Sequence, residues 1–457
     1  MSSNRSREFL AQMWRAIEGE PAILDHVQLV GAGHLASVFP VSDFAAAAVG
    51  VAAAALAELV GTRWGTVPPV SVDRRLASLW YGWSLRPDGW TVPPTWDPIA
   101  GDYQAADGWM RLHTNAPHHR DAALSVLGVD AIKADVARVV ATWNASALET
   151  AIVARGGCAA EMRSIEAWRR HPQGTSLAGE SLLATRRTEA TRRSTWSPQR
   201  DRPLHGRKVL DLTRVLAGPV ATRFLAGFGA DVLRIDAPAW DEPAVVPEVT
   251  LGKRCARLDL RLPTDRARFE ELLRHADVLV HGYRADALDA LGLDAATRQA
   301  IRPGLVDVSL CAYGWTGPWR NRRGFDSLVQ MSAGIADAGM RRLGTDRPTP
   351  LPVQALDHAT GYLLAAAAIR GLTSRFTDDR GVEARASLAR TAAVLIDGAG
   401  AIYPGDIAGV GDDDWSPHVE ATAFGPGYRL RPPIALEGAA MRWDRPATRL
   451  GSAAAEW

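Results

Sequence analysis

From residue 206 onward, short apolar runs alternate with helical segments of about ten residues, and this alternation limits the fold more than any other feature of the chain. KVLDLT (208–213), DVLRI (231–235), ADVLVH (276–281) and LVDVSL (305–310) are separated by helix-patterned stretches at 219–228, 264–275, 285–291 and 294–301. Strands that are apolar on both faces belong in a parallel sheet covered by helices on each side. The pattern predicts an α/β fold with a doubly wound, Rossmann-like parallel sheet over 206–400. Ligands of such sheets sit beyond the carboxyl ends of the strands. Those ends are 214–219, 236–240, 282–284 and 311–318.

The upstream half is built differently. Residues 1–85 read as a partial large-domain segment around an Ala-rich helix, and 86–183 as a smaller α+β domain. Residues 184–205 read as an exposed Arg-rich linker, and 401–457 as a C-terminal tail segment. The Ala-rich helix matters beyond its own segment. VFPVSDFAAAAVGVAAAALAEL (38–59) resembles PLPVQALDHATGYLLAAAAIRGL (350–372), and each is followed by a βα-like piece, at 70–82 and 384–398. In both copies an Asp, Asp43 or Asp357, opens an Ala-rich helix. The arrangement predicts a partial internal duplication. Residues 43–60 are nearly apolar enough for a membrane span, but they contain Glu58 and open on Asp43, so a helix buried in protein is expected.

Charge and cysteine usage exclude some functions. A net charge of +1 gives no field that favours nucleic acid or an anionic membrane. The arginines of 184–205 lack the interleaved aromatics of a nucleic-acid surface. Three scattered cysteines form no disulfide framework, and the polar opening MSSNRSREFL has no apolar leader core, so a cytoplasmic location is expected. No metal site is expected, because His113, His118 and His119 lie near Asp107 without a fourth ligand at matching spacing.

Two stretches carry candidate chemistry. RVLAGP (214–219) joins a strand to a helix, where Gly and Pro admit close backbone approach and free amides face an anion. It contains neither GxGxxG nor a P-loop, so ordinary dinucleotide or triphosphate binding is not indicated. Lys253-Arg254, after Gly252, reads either as a phosphate contact or as a solvated basic turn. Asp357 reads locally as a helix N-cap, since a carboxylate there accepts the orphan first-turn amides.

Six motifs occur in register: GRKVLDLTRVLAGPVATRFLAGFGADVLRID, LGKRCARLDL, ADVLVHGYRADALDALGL, VDVSLCAYGWTGPW, RRGFDSLVQMSAG and ALDHATGYLLAAAA. Together they resemble the class III CoA-transferases, the family of formyl-CoA and carnitine CoA-transferases and the 2-methylacyl-CoA racemases. The segment 102–182 resembles that family's small domain, which here precedes the complete large-domain half. The chain thus looks like the back part of one copy fused to the front part of another. The resemblance implies coenzyme A or acyl-CoA as substrate, no metal, an interlocked homodimer, and Asp357 as catalytic nucleophile. It places coenzyme A contacts at Arg214, Val215, Leu216, Ala217, Lys253 and Arg254. The expected reaction moves coenzyme A between an acyl-CoA thioester and a carboxylic acid through an aspartyl-CoA intermediate.

The chain departs from the family pattern at three places. Phe325-Asp326 stands where the racemases carry His-Asp, which disfavours two-base racemisation. Gly282-Tyr283-Arg284-Ala285-Asp286 replaces Asn-Phe-Arg-Pro-Gly and loses an Asn contact. Asp236-Ala237-Pro238 lacks a base-stacking Arg. The rival readings are an acyl-CoA racemase or isomerase of the same family, and a coenzyme A-binding protein without turnover.

Overall fold

The computed structural model describes residues 4–457. At its centre is a seven-stranded sheet of β1 Leu183–Ala190, β2 Lys208–Leu212, β3 Asp231–Asp236, β4 Lys253–Arg257, β5 Val278–His281, β6 Val306–Cys311 and β7 Arg380–Ser387. The spatial order is β4-β3-β2-β5-β6-β7-β1. Six strands are parallel, with Val278 of β5 opposite Val209 of β2 and Val306 of β6, while β1 runs antiparallel along β7. Side chains alternate between the faces, as strand geometry requires. Val209, Val232, Val278 and Val306 enter one core, and Leu210, Leu233, Ile235 and Leu279 enter the other. The doubly wound expectation holds. Strand order reverses between β2 and β5, which places a crevice at their carboxyl ends.

The first core is shared with the N-terminal segment. It contains α1 Val41–Trp64, α2 Ala217–Gly227 and α4 Ala355–Thr377, with α3 Asp326–Ser332 and α5 Leu388–Asp397 nearby. α4 packs on α1 and on α2. Tyr81 stacks on His358 with ring centroids 4.7 Å apart, a further link between the two halves. α1 is long and apolar enough to cross a membrane, but 94% of its most apolar window is buried inside the protein.

The segment 86–183 has its own core. A three-stranded antiparallel sheet (Gly101–Gln104, Trp109–Leu112, Ala159–Glu161) is packed by helices Pro117–Leu127, Lys133–Val140 and Ala145–Ala154 through Met110, Leu112, Val136 and Leu148.

Two stretches differ from expectation. The Arg-rich stretch 184–205 does not run as a linker throughout, because Leu183–Ala190 is the antiparallel edge strand β1, with Arg186 paired to Glu383 of β7 at 2.5 Å. Residues 401–457 are not a free-standing tail. Gly425–Leu430 pairs with Leu85–Pro87, and Ile434–Leu436 pairs with Val70–Asp73. Buried Glu248 fastens three regions at once. It accepts from Ser84 Oγ at 2.5 Å, lies 3.1 Å from Arg429 and pairs with Arg223.

Candidate active site

Asp357 is the third residue of α4, and the cap position belongs to Gln354, so Asp357 is not the N-cap. The reason lies on a neighbouring element. Asp326, at the start of α3, accepts from the amides of Leu356 and Asp357 through one oxygen, at 2.8 and 2.9 Å. Gln330 Nε2 donates to the other oxygen at 2.5 Å. The first turn of α4 is thus capped from another helix, and the Asp357 side chain is released from that task. Among the described residues no hydrogen bond or ion pair holds the Asp357 carboxyl group, which is only 7% exposed. Burial first, and then the charge of Asp326, push its pKa well above the carboxylate range. Asp326 itself is raised to about 6, with burial outweighing the bonds it accepts.

The duplicated helix provides an internal comparison. Asp43 is likewise third in α1, and the residues before the two helices share one backbone conformation: φ −77°, ψ 60° at Pro40 and φ −75°, ψ 64° at Gln354. A 2.8 Å bond from the first helical amide to the carbonyl two residues back, Val41 to Phe39 and Ala355 to Val353, recurs at both. The surroundings differ. The Asp43 carboxylate lies 3.2 Å from Arg74 Nε and accepts from the Ser6 hydroxyl. One aspartate is neutralised by a partner, and the other stands uncompensated.

The loop after β2 forms one wall facing Asp357. Asp211 bonds the Thr213 amide at 2.9 Å and the Thr222 hydroxyl at 2.6 Å, which ties the end of the strand to α2. Val215 adopts φ +62°, a left-handed conformation that is costly for a β-branched residue, and its amide donates to Glu242 at 2.9 Å. Gly361 lets α4 come close. A Cβ there would lie 2.4 Å from the Ala217 carbonyl oxygen. Arg214 lies over the rings of Trp240 and Tyr283, at 4.4 and 5.1 Å, and its Nε is buried without a partner.

Two cavities meet at Asp357. The first, about 290 Å³, is bounded by Arg214, Val215, Leu216, Ala217, Arg284, Arg322 and Arg323, together with His118 and His119. The second, about 380 Å³, lies between residues 94–98 and 240–245, with Val215, Leu216 and Phe325. The structure therefore brings five of the seven expected site residues together. Lys253 and Arg254 are not among them. As part of β4, Lys253 points inward, fully buried, with Nζ 2.9 Å from Asp211 and 3.1 Å from the Pro219 carbonyl. It supports the 213–217 loop from behind. Arg254 points away from the site and pairs with Asp231 at 2.8 Å. Neither the phosphate-contact reading nor the solvated-turn reading describes Lys253.

The histidines do not gather on Asp107, whose carboxylate accepts from the Ala145 amide at 2.8 Å and so caps another helix. His113 and His119 are held neutral by burial, which lowers both to about 3, and Phe325 stacks on His113 at 3.8 Å. No group of His, Cys, Asp or Glu suited to a metal ion occurs among the described residues. Sequence reasoning missed the role of Asp326, and it missed the second cavity, whose wall 94–98 lies at the start of the segment read as the small α+β domain. The density of Trp and Pro there is the signal that was available.

Residues 204–414 match the family described as CoA-transferase family III. The chain is 33% identical over 180 residues to the acetyl-coenzyme A transferase nodX of Hypoxylon pulicicidum, which covers 38% of this chain and 30% of that protein. It is 32% identical over 211 residues to the human succinyl-CoA:glutarate CoA-transferase, covering 42% of this chain and 47% of the relative. The crystal structure of Rv3272 from M. tuberculosis is similar at 27% identity and a TM-score of 0.40, over 43% of this chain and 58% of that one. The chain thus spans between about a third and a half of the length of these curated relatives.

Proposed function

We propose that the chain, whose residues 204–414 match CoA-transferase family III, moves coenzyme A from an acyl-CoA thioester to a carboxylic acid, with Asp357 as nucleophile. The observation that carries this reading is the contrast between two equivalent aspartates. Asp43 is paired to Arg74, whereas Asp357 is buried and unpaired where two cavities meet.

A carboxylate stripped of water and of partners is a stronger nucleophile for the reason that it is a stronger base. In the first step a carboxylate oxygen of Asp357 attacks the thioester carbonyl. The C–S bond breaks, leaving a mixed anhydride and a coenzyme A thiolate. The thiolate attacks the aspartyl carbonyl, releases the donor acid as its carboxylate, and leaves an aspartyl-CoA thioester. The acceptor carboxylate reverses the sequence and departs as the new acyl-CoA. Arg214, Arg284 and Arg323 at the first cavity suit the phosphates of coenzyme A. Phe325, stacked on His113, supplies no base, which counts against the racemase reading. The three cysteines are unpaired and buried, in keeping with the cytoplasmic location that the proposal carries.

The test is mass spectrometry of the protein after exposure to a panel of acyl-CoAs. Coenzyme A attached to the peptide bearing Asp357 is the expected result, and hydroxylamine should displace that coenzyme A and leave a hydroxamate on Asp357. Loss of adduct and turnover in Asp357→Asn should accompany it. Turnover that survives in Asp357→Asn would refute the proposal.

A further inference from the structure

The two cavities that meet at Asp357 are unlike in charge, and we infer from that difference which acyl groups the site takes. The inference rests on the transferase reading. The first cavity is bounded by Arg214, Arg284, Arg322 and Arg323, which suits a polyphosphate. The second has no lysine or arginine in its lining, and its surface is largely apolar: Trp96, Leu216, Trp240, Pro243, Val245 and Phe325. We propose that coenzyme A enters through the first cavity and that the second holds the acyl chain, selecting neutral apolar acyl groups and rejecting those that end in a second carboxylate.

The charged groups of the second cavity support this. Asp97, Asp241 and Glu242 are its only ionisable carboxylates besides Asp357. Asp97 is engaged by the Thr114 hydroxyl at 2.8 Å and by Arg120 at 3.3 Å. Glu242 is engaged by Arg234 at 2.5 Å, the Val215 amide at 2.9 Å and the Trp240 indole at 3.0 Å. No lysine or arginine lines this cavity to receive a dicarboxylic acyl chain. Arg111 lies over the Trp96 ring, 4.7 Å from its centroid, and is paired to Asp102 at 2.6 Å. A terminal carboxylate would lose water, find no cation in the lining, and face carboxylates of its own sign. His113 offers no compensation, because burial keeps its imidazole neutral. A volume of about 380 Å³ falls within the ordinary range of small-molecule pockets, roughly 300–1,000 Å³.

The experiment measures equilibrium binding by calorimetry to Asp357→Asn, in which no covalent step intervenes. The ligands are coenzyme A, acetyl-, butyryl- and hexanoyl-CoA, and succinyl- and glutaryl-CoA. Each methylene buried should tighten binding roughly fourfold, so affinity should rise roughly fifteenfold for each two carbons in the neutral series. Succinyl- and glutaryl-CoA should bind no tighter than coenzyme A itself. Ala244→Arg, which places a cation at the cavity wall, should erase the preference for hexanoyl- over glutaryl-CoA. The inference is overturned if glutaryl-CoA binds as tightly as butyryl-CoA, or if chain length adds nothing. It is overturned alone, with the transferase reading intact, if succinyl-CoA yields the Asp357 adduct and hexanoyl-CoA does not. If neither coenzyme A nor any acyl-CoA binds, the transferase reading falls and takes this inference with it.

Discussion

Replacing Gly361 with alanine tests whether the site is built on a helix contact that admits no side chain. The new Cβ would lie 2.4 Å from the Ala217 carbonyl oxygen, and 2.8 and 2.9 Å from Cβ and Cγ1 of Val220. Unstrained contacts begin at about 3.5 Å, so α2 and α4 must separate by about 1 Å. Neither obstacle yields easily, since one is backbone and the other is a valine held near one rotamer within a helix. Overpacking of this kind costs about 1–3 kcal/mol, and a backbone obstacle places it near the upper end. The better helix propensity of alanine returns about 1 kcal/mol, which leaves a net loss of about 2 kcal/mol. The atom displaced belongs to the loop facing Asp357, and a misplacement of about 1 Å near reacting groups can lower turnover by about a hundredfold. Urea melts and kcat/KM, measured beside Gly108→Ala, whose Cβ meets nothing within 4 Å, separate the contact from a general glycine effect. If Gly361→Ala melts and turns over like the parent while Gly108→Ala does the same, the close approach of α2 and α4 is wrong.

Other expectations follow from the same contacts. Because burial raises the Asp357 pKa, the folded protein holds protons that the unfolded chain has released, so this group costs stability increasingly as pH rises above about 4. Asp357→Asn should therefore melt higher than the parent at pH 7 and show a smaller advantage at pH 4; an advantage that grows on acidification would contradict the assignment. Glu248→Gln leaves Arg223 and Arg429 buried without their shared carboxylate and should cost about 3–5 kcal/mol in denaturant melts. A loss below about 1 kcal/mol would mean that the network is not closed as described. Arg214→Gln should raise KM for acyl-CoA about tenfold or more with kcat little changed, since a hydrogen bond to a charged group is worth about 1.5–3 kcal/mol. An unaltered KM would remove Arg214 from the binding surface.

The parallel strands were legible in the sequence because burial on both faces keeps VLDL and VDVSL mostly apolar, with the buried Asp211 and Asp307 each paired to a cation, Lys253 and Arg298. β1 was not legible, because an edge strand is spared that demand. LATRRTEA carries charge along its open side, as edges that must avoid foreign pairing do, and it reads as linker. Lys253 was misread for a related reason. A basic pair after a glycine suggests a turn, and only the strand pairing with Val232 turns its side chain inward onto Asp211. Asp357 was found by motif, but its freedom from capping depends on Asp326, thirty-one residues earlier, reaching two amides across space. The second cavity joins residues 94–98 to 240–245, and no local pattern encodes that meeting.

The walls around Asp357 come from residues as far apart as Pro94 and Leu388 of one continuous chain. Where a site is assembled from two separate molecules, dilution pulls its halves apart and the activity of each molecule fades with concentration. Here the halves are tethered, and each is present to the other at an effective concentration that dilution does not change. Whatever assembly the chain forms, its turnover per molecule should stay level as the protein is diluted through the nanomolar range.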